Sequence, residues 1–489
     1  MFRIIQRLLL PLFVVAMLVA LLVVKDDFGY DPIGETTFGG PSSELLTPVF
    51  SLRRAPKLLT SPLANQKLQD EINLLLDGLP DSTCLAITSP LERIYDYQTD
   101  IPLVPGGTQK ILTSYAAIKQ LGANFQYETI IAAERETDED GNLLSSDLYV
   151  FGGGDPLLRT DSYTELLPEN YSQIRTSADE LADLTVGMNV LFVQGAVVVN
   201  ETRYDEERTV PGWSPELRES SAIGSLSAAL LDGGYDGLKQ DYSSQKGVED
   251  PPPLVPSVNP AKRFAANFDD LLEARSVIIL QAAKETNDVQ LIDLVELLSI
   301  KSPTLDQILK QMLTNDDTIT AEMVLKEIGY SRTGEGSTST GLVAIPEIIS
   351  GSGLTETGIL LVDGSGLSTG NQLTCEIINS ILEESDTKEI FTEALPIAGE
   401  EGIVSKSFIG TAFESNLNAY SIRTPTYASV AGYFTTPNET KLTIAFLANS
   451  TIDDETFEQR IQLFFSGLGD ALSTYSGGQP LDELGPLQD

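Results

Sequence analysis

Val104-Pro105-Gly106-Gly107-Thr108-Gln109-Lys110 runs directly into Ile111-Leu112-Thr113-Ser114-Tyr115-Ala116-Ala117-Ile118. The proline and paired glycines mark a turn, and the apolar run predicts a helix that begins near Lys110 and ends at Gly122. Lys110 is then a buried or half-buried cation close to the helix start. One turn earlier stands Gly107, which has no side chain.

Further segments extend the pattern. Asp147-Leu148-Tyr149-Val150-Phe151-Gly152-Gly153-Gly154-Asp155-Pro156 reads as a strand and a glycine-rich turn. Gly195-Ala196-Val197-Val198-Val199 follows, then Tyr204-Asp205 and Pro211-Gly212-Trp213. Later come Asp363-Gly364-Ser365-Gly366-Leu367-Ser368 and Asn371. In this order, from about Leu58 to about Tyr475, the chain resembles the class C low-molecular-mass penicillin-binding proteins. These are serine D-alanyl-D-alanine carboxypeptidases and endopeptidases whose first motif is Ser-x-x-Lys. The resemblance implies an α+β, transpeptidase-like (β-lactamase-like) fold with a large β-rich inserted region after the first motif helix.

The same resemblance shows what has changed. The family serine falls at Gly107, while its lysine is kept as Lys110. The family's Ser-Asp-Asn falls at Asp316-Asp317-Thr318, before the helix Ala321–Gly329. Two adjacent carboxylates suit an acid/base pair, but this triplet reads better as a helix cap that sets negative charge at the positive helix end. For Lys-Thr-Gly the sequence offers Arg423-Thr424-Pro425 on the strand Ala419–Tyr427. Arg423 could still attract a carboxylate, Thr424 is kept, and Pro425 would remove a backbone donor. Lys110, Arg423, Thr424 and Ser365 are the expected lining of the remaining cleft. The expectation is a non-catalytic homologue that binds peptidoglycan peptide or an envelope protein. The alternatives are an active carboxypeptidase/endopeptidase with another nucleophile, and a purely structural envelope protein. Ser243-Ser244-Gln245-Lys246 and Ser385-Asp386-Thr387-Lys388 repeat the first motif's spacing, but neither precedes an apolar helix.

Composition narrows the chemistry. The chain has no histidine, which removes Ser-His-Asp and Cys-His catalysis and the commonest zinc sites. Only Cys84 and Cys375 are present, so no cysteine cluster forms within one chain, and no metal or cofactor is expected. With 31 basic against 71 acidic residues, the net charge of −40 argues against nucleic acid and against a basic patch on an anionic membrane.

Arg3 and Arg7 precede the apolar run Leu8–Val24, and no small-residue cleavage site precedes Lys25. Residues 1–27 therefore read as a membrane signal anchor with the bulk of the chain outside the cytoplasm; a cleaved signal would instead give a secreted protein. Residues 28–57 read as a tether and 476–489 as a tail. The transpeptidase-like domain is expected over 58–125 and 281–475, with the insertion at 126–280. Helices are expected at Gln66–Leu76, Leu291–Leu298, Thr304–Leu313 and Thr456–Leu472. Strands are expected at Cys84–Thr88, Glu92–Tyr97, Ala419–Arg423, Ala428–Phe434 and Leu442–Leu447. By the family layout Cys84 and Cys375 fall in one domain of an oxidising compartment, as a disulfide or as two buried thiols.

Overall fold

The computed structural model describes residues 56–134, 142–143, 146–168, 173–220, 223–238, 254–450 and 455–475. They lie in one compact unit, Ala55–Asp489. In chain order its main elements are α1 (Pro56–Leu76), β1 (Thr83–Thr88), β2 (Arg93–Tyr97), α2 (Gln109–Leu121), β3 (Glu128–Ala133), β4 (Leu148–Phe151), α3 (Ala178–Gly187) and β5 (Val197–Asn200). There follow α4 (Pro260–Glu273), β6 (Lys284–Glu285), β7 (Val295–Lys301), α5 (Leu305–Asn315), α6 (Thr318–Thr333), α7 (Thr338–Gly351) and α8 (Cys375–Glu383). The chain closes with β8 (Leu417–Arg423), β9 (Tyr427–Thr435), β10 (Lys441–Asn449) and α9 (Glu455–Ser473).

A five-stranded sheet in the order β8-β9-β10-β1-β2 organises the unit, with antiparallel neighbours throughout. Side chains alternate across a strand, so each strand feeds two cores. Ile444 and Phe446 of β10 pack with Ile72 of α1 and with Phe464 and Leu468 of α9. Ala445 and Leu447 face the opposite way, onto Ile111, Leu112 and Tyr115 of α2 and onto α5–α8. Gln109–Ile118 of α2 are all buried, apolar Ile111 and Leu112 beside polar Gln109, Lys110, Thr113 and Ser114. Burying such a Leu or Ile side chain contributes about 1.5–3 kcal/mol. Cys84 of β1 and Cys375 of α8 are joined as a disulfide, with Cα atoms 5.9 Å apart, which fastens the sheet to this helical layer.

After α2 the chain builds a second five-stranded sheet, in the order β6-β5-β4-β3-β7. Helices α3 and α4 cover it through Leu181, Phe264 and Phe268, so the inserted region is layered α/β as well as rich in strands. Residues 291–298, expected as a helix, form a short 3-10 turn and the start of β7, which pairs with β3. The inserted sheet thus continues to Lys301, beyond the boundary expected at 280. Arg203 and Tyr204 dock this region on α6. The Arg203 guanidinium forks onto Glu327 at 2.9 and 2.6 Å, Tyr204 donates to Glu327 at 2.7 Å, and Arg203 lies 4.0 Å from the centre of the Tyr330 ring.

Among the described residues no helix is long and apolar enough to cross a membrane. The expected anchor, nearly all of the tether, the tail and Ser243–Lys246 lie outside the described residues.

Candidate functional site

Gly106–Thr108 makes a 3-10 turn into α2, which buries Lys110 to 2% exposure. Its Nζ reaches Oδ1 of Asp316 at 2.6 Å and the carbonyl of Ser365 at 2.9 Å. Asp316 sits between α5 and α6 with a φ of 57°, the left-handed conformation that Asp tolerates better than most residues. The next residue, Asp317, is the cap: its carboxylate accepts the Thr320 N–H at 3.0 Å and hydroxyl at 2.8 Å. The acidic pair therefore divides its work, Asp317 closing the helix and Asp316 turning into the site.

Asp363–Ser368 forms the floor of the site. Asp363 accepts from the N–H groups of Gly366 and Ser368, each at 2.7 Å, from Asn371 at 2.8 Å and from the Trp213 indole at 2.8 Å. Glu322 accepts from the Ser365 N–H at 2.8 Å and the Gly364 N–H at 3.1 Å. Burial, and then the charge of Asp363, push Glu322 up to about 8. Gly366 has a φ of 81°, and a Cβ there would lie 1.9 Å from the Gly106 carbonyl oxygen, so the loop can close on the turn before α2 only with glycine. The stretch that resembles the family most closely is thus a clamp on the first turn of α2. Ser365 serves it through its backbone, with its side chain fully buried.

The remaining wall is the edge strand β8, and here the sequence expectation needs correction. Arg423, expected at the lysine position of the third motif, is exposed at the end of β8. Thr424 lies in the hairpin turn, where its hydroxyl donates to the Tyr427 carbonyl and accepts from the Tyr427 N–H, each at 3.0 Å. Pro425 is a turn residue too, so it removes no donor from the strand. The break expected between Ala419–Arg423 and Ala428–Phe434 falls at these residues, so they form a turn and the wall residues lie upstream.

Tyr420 is the residue of β8 that meets Gly107 and Lys110. Its hydroxyl donates to Oδ1 of Asp316 at 2.6 Å, and its ring centre lies 5.7 Å from Nζ of Lys110. A Cβ on Gly107 would fall 1.8 Å from that hydroxyl. Burial, and then the Asp316 charge, hold the phenol well above its ordinary pKa, so it remains a donor.

Outside Tyr420 opens a cavity of about 380 Å³ whose lining includes Asp316, Ser421, Arg423, Lys406 and Phe408. Thr318, the first residue of α6, lines another, largely apolar cavity of about 530 Å³ that Asp316 also borders. Gly107, Lys110, Asp316 and Ser365 are therefore brought together, while Thr318, Arg423 and Thr424 stand away from Lys110. Other hydroxyls near the turn are engaged elsewhere: Thr108 shares a hydrogen bond of 2.6 Å with Ser429, and Thr113 donates to the Gly364 carbonyl at 2.6 Å. The Ser385–Lys388 repeat does not join the site, since Lys388 pairs with Glu383 at 2.8 Å.

A sheet between helical layers, with the first motif opening a buried helix beneath an edge strand, is the architecture of the penicillin-binding proteins. The sequence pattern of the D-Ala-D-Ala carboxypeptidase 3 (S13) family matches residues 85–254 and 245–466, and the chain belongs to that family. It is 24% identical over 463 residues to the D-alanyl-D-alanine carboxypeptidase of Actinomadura sp. (strain R39), covering 80% of this chain and 83% of that one. A carboxypeptidase of Mycobacterium tuberculosis is 24% identical over 368 residues, covering 73% and 74%. The crystal structure of penicillin binding protein 4 from Haemophilus influenzae shares the fold, with a TM-score of 0.65 at 19% identity, over 83% of this chain and 99% of that one.

Proposed function

We propose that this family member no longer performs acyl transfer and instead holds a peptide in the cleft beside Asp316. The observation that carries this reading is position 107. It offers no hydroxyl, and the lysine meant to activate one is engaged by Asp316 and the Ser365 carbonyl. The Thr108 and Tyr420 hydroxyls are already bonded and that of Ser365 is fully buried, which weighs against any of these three as an alternative nucleophile. Arg423 and Lys406 give the cleft cationic groups suited to a carboxylate. The ligand is a peptidoglycan peptide or an extended segment of an envelope protein. A disulfide between Cys84 and Cys375 supports a place outside the cytoplasm, with residues 1–27 as the membrane anchor.

Titrating the purified full chain with a stem peptide ending in D-Ala-D-Ala, followed by calorimetry and by assay of free D-alanine, tests this. Saturable binding without D-alanine release is expected, with weaker binding for Arg423→Ala. Catalytic release of D-alanine by the natural protein would contradict it.

A further inference from the structure

The geometry points to Tyr420 as a plug that keeps the corner at position 107 closed, so that any ligand lies along the outer part of β8. This deepens the non-catalytic reading and rests on it. Gly107 is absent from the residues with positive φ, so its backbone would accept a side chain. What excludes one is the phenol: the Cβ would stand 1.8 Å from the hydroxyl oxygen, 2.6 Å from Cζ and 3.0 Å from Cε1 of Tyr420. The ring is not free to swing aside without cost. It is fully buried, packed in the core with Ala431 and Tyr433, and latched to Asp316, which also holds Lys110. One aromatic side chain thus fills the missing side chain's space and ties down the group that would have worked beside it.

The plug also defines what the cleft can take. The Ala419 N–H donates outward from the sheet to the Pro396 carbonyl at 3.0 Å. Strand alternation then turns the backbone amides of Ser421 and Arg423 toward the same open edge. An extended peptide can add to this edge outside Tyr420, with its side chains or terminus near Arg423 and Lys406. No scissile carbonyl need reach position 107, so a peptide with further residues after its D-alanine, or one ending in an ordinary L residue, fits as well as a D-Ala-D-Ala terminus.

Cysteine labelling tests the plug without requiring catalysis. Both native cysteines are bonded to each other, so a Gly107→Cys thiol would be the one reactive thiol in the chain. Iodoacetamide should modify Gly107→Cys about tenfold more slowly, or slower still, than Gly107→Cys/Tyr420→Ala, the ratio set by about 1.4 kcal/mol of closed over open corner. The second measurement is melting. Gly107→Ala should lower the melting temperature in the natural background and much less in the Tyr420→Ala background. Equal labelling rates, or an equal cost of Gly107→Ala in both backgrounds (including failure of both to fold), would overturn the plug. A penicillin adduct on the unmodified protein would instead overturn the non-catalytic reading, so the two failures are told apart.

Discussion

Gly107 and Tyr420 compete for one volume: a methyl group on the glycine would lie 1.8 Å from the tyrosine hydroxyl. Introducing a serine at position 107 alone therefore should not confer acyl transfer. Gly107→Ser should destabilise the protein by about 1–3 kcal/mol, the usual cost of overpacking, and should gain no penicillin adduct. Denaturant melts with intact-mass measurement check both points. An adduct requires vacating Tyr420 and freeing Lys110 from Asp316 as well, for example in Gly107→Ser/Asp316→Ser/Tyr420→Ala.

The Lys110–Asp316 pair should respond unevenly to removal of either partner. Lys110 is 2% exposed and Asp316 is 35% exposed. Asp316→Asn keeps a residue that tolerates the left-handed backbone but leaves the ammonium buried with the Ser365 carbonyl. Its cost should fall toward the lower end of the about 3–5 kcal/mol for a broken buried pair, because water screens the carboxylate. Lys110→Met leaves Asp316 in contact with solvent and with the Tyr420 hydroxyl, and should cost less. Equilibrium unfolding of the two variants gives the order directly.

Glu322 should impose a pH dependence on stability. Its folded pKa is raised from 4.5 to about 8, first by burial and then by Asp363, so the folded state holds the proton more tightly than the unfolded chain does. This contribution is complete below about 4.5 and is lost as pH rises through about 8. Comparing melts of the natural protein and Glu322→Gln between pH 5 and pH 8 reads this titration together with its interaction with Asp363. The natural protein should lose stability relative to the variant as pH rises.

Separating Cys84 from Cys375 should weaken the fold without dismantling the site. The bridge closes a loop with a sequence separation of 291 residues, and loss of a native disulfide costs about 2–5 kcal/mol. Cys84→Ala/Cys375→Ala should melt at a lower temperature, yet bind the same peptides at temperatures where it remains folded.

Much of this architecture was legible because it is written in local chemistry. The turn before Lys110 and a cap within Asp316-Asp317-Thr318 follow from residues adjacent in sequence, though only the structure assigns the cap to Asp317 and turns Asp316 into the site; the loop from Asp363 was legible through the family resemblance. The strands Ala419–Arg423, Ala428–Phe434 and Leu442–Leu447 were legible from apolar runs and turn residues, and stand within β8, β9 and β10. Two features were not legible. Leu291, Leu294, Val295 and Leu298 stand at helical spacing, and only the pairing of Val295–Lys301 with β3 makes this stretch a strand. Tyr420 reads as an ordinary core aromatic. Its role appears only when the β8–β9 hairpin is registered so that Thr424 and Pro425 fall in the turn, which places Tyr420 against a glycine more than three hundred residues earlier.

The most direct measurement of the central claim is the intact mass of the natural protein after prolonged incubation with a fluorescent penicillin. The account predicts an unchanged mass and no covalent fluorescence. A stoichiometric adduct would contradict it, and peptide mapping of that adduct would identify a nucleophile operating beside Lys110 despite Gly107.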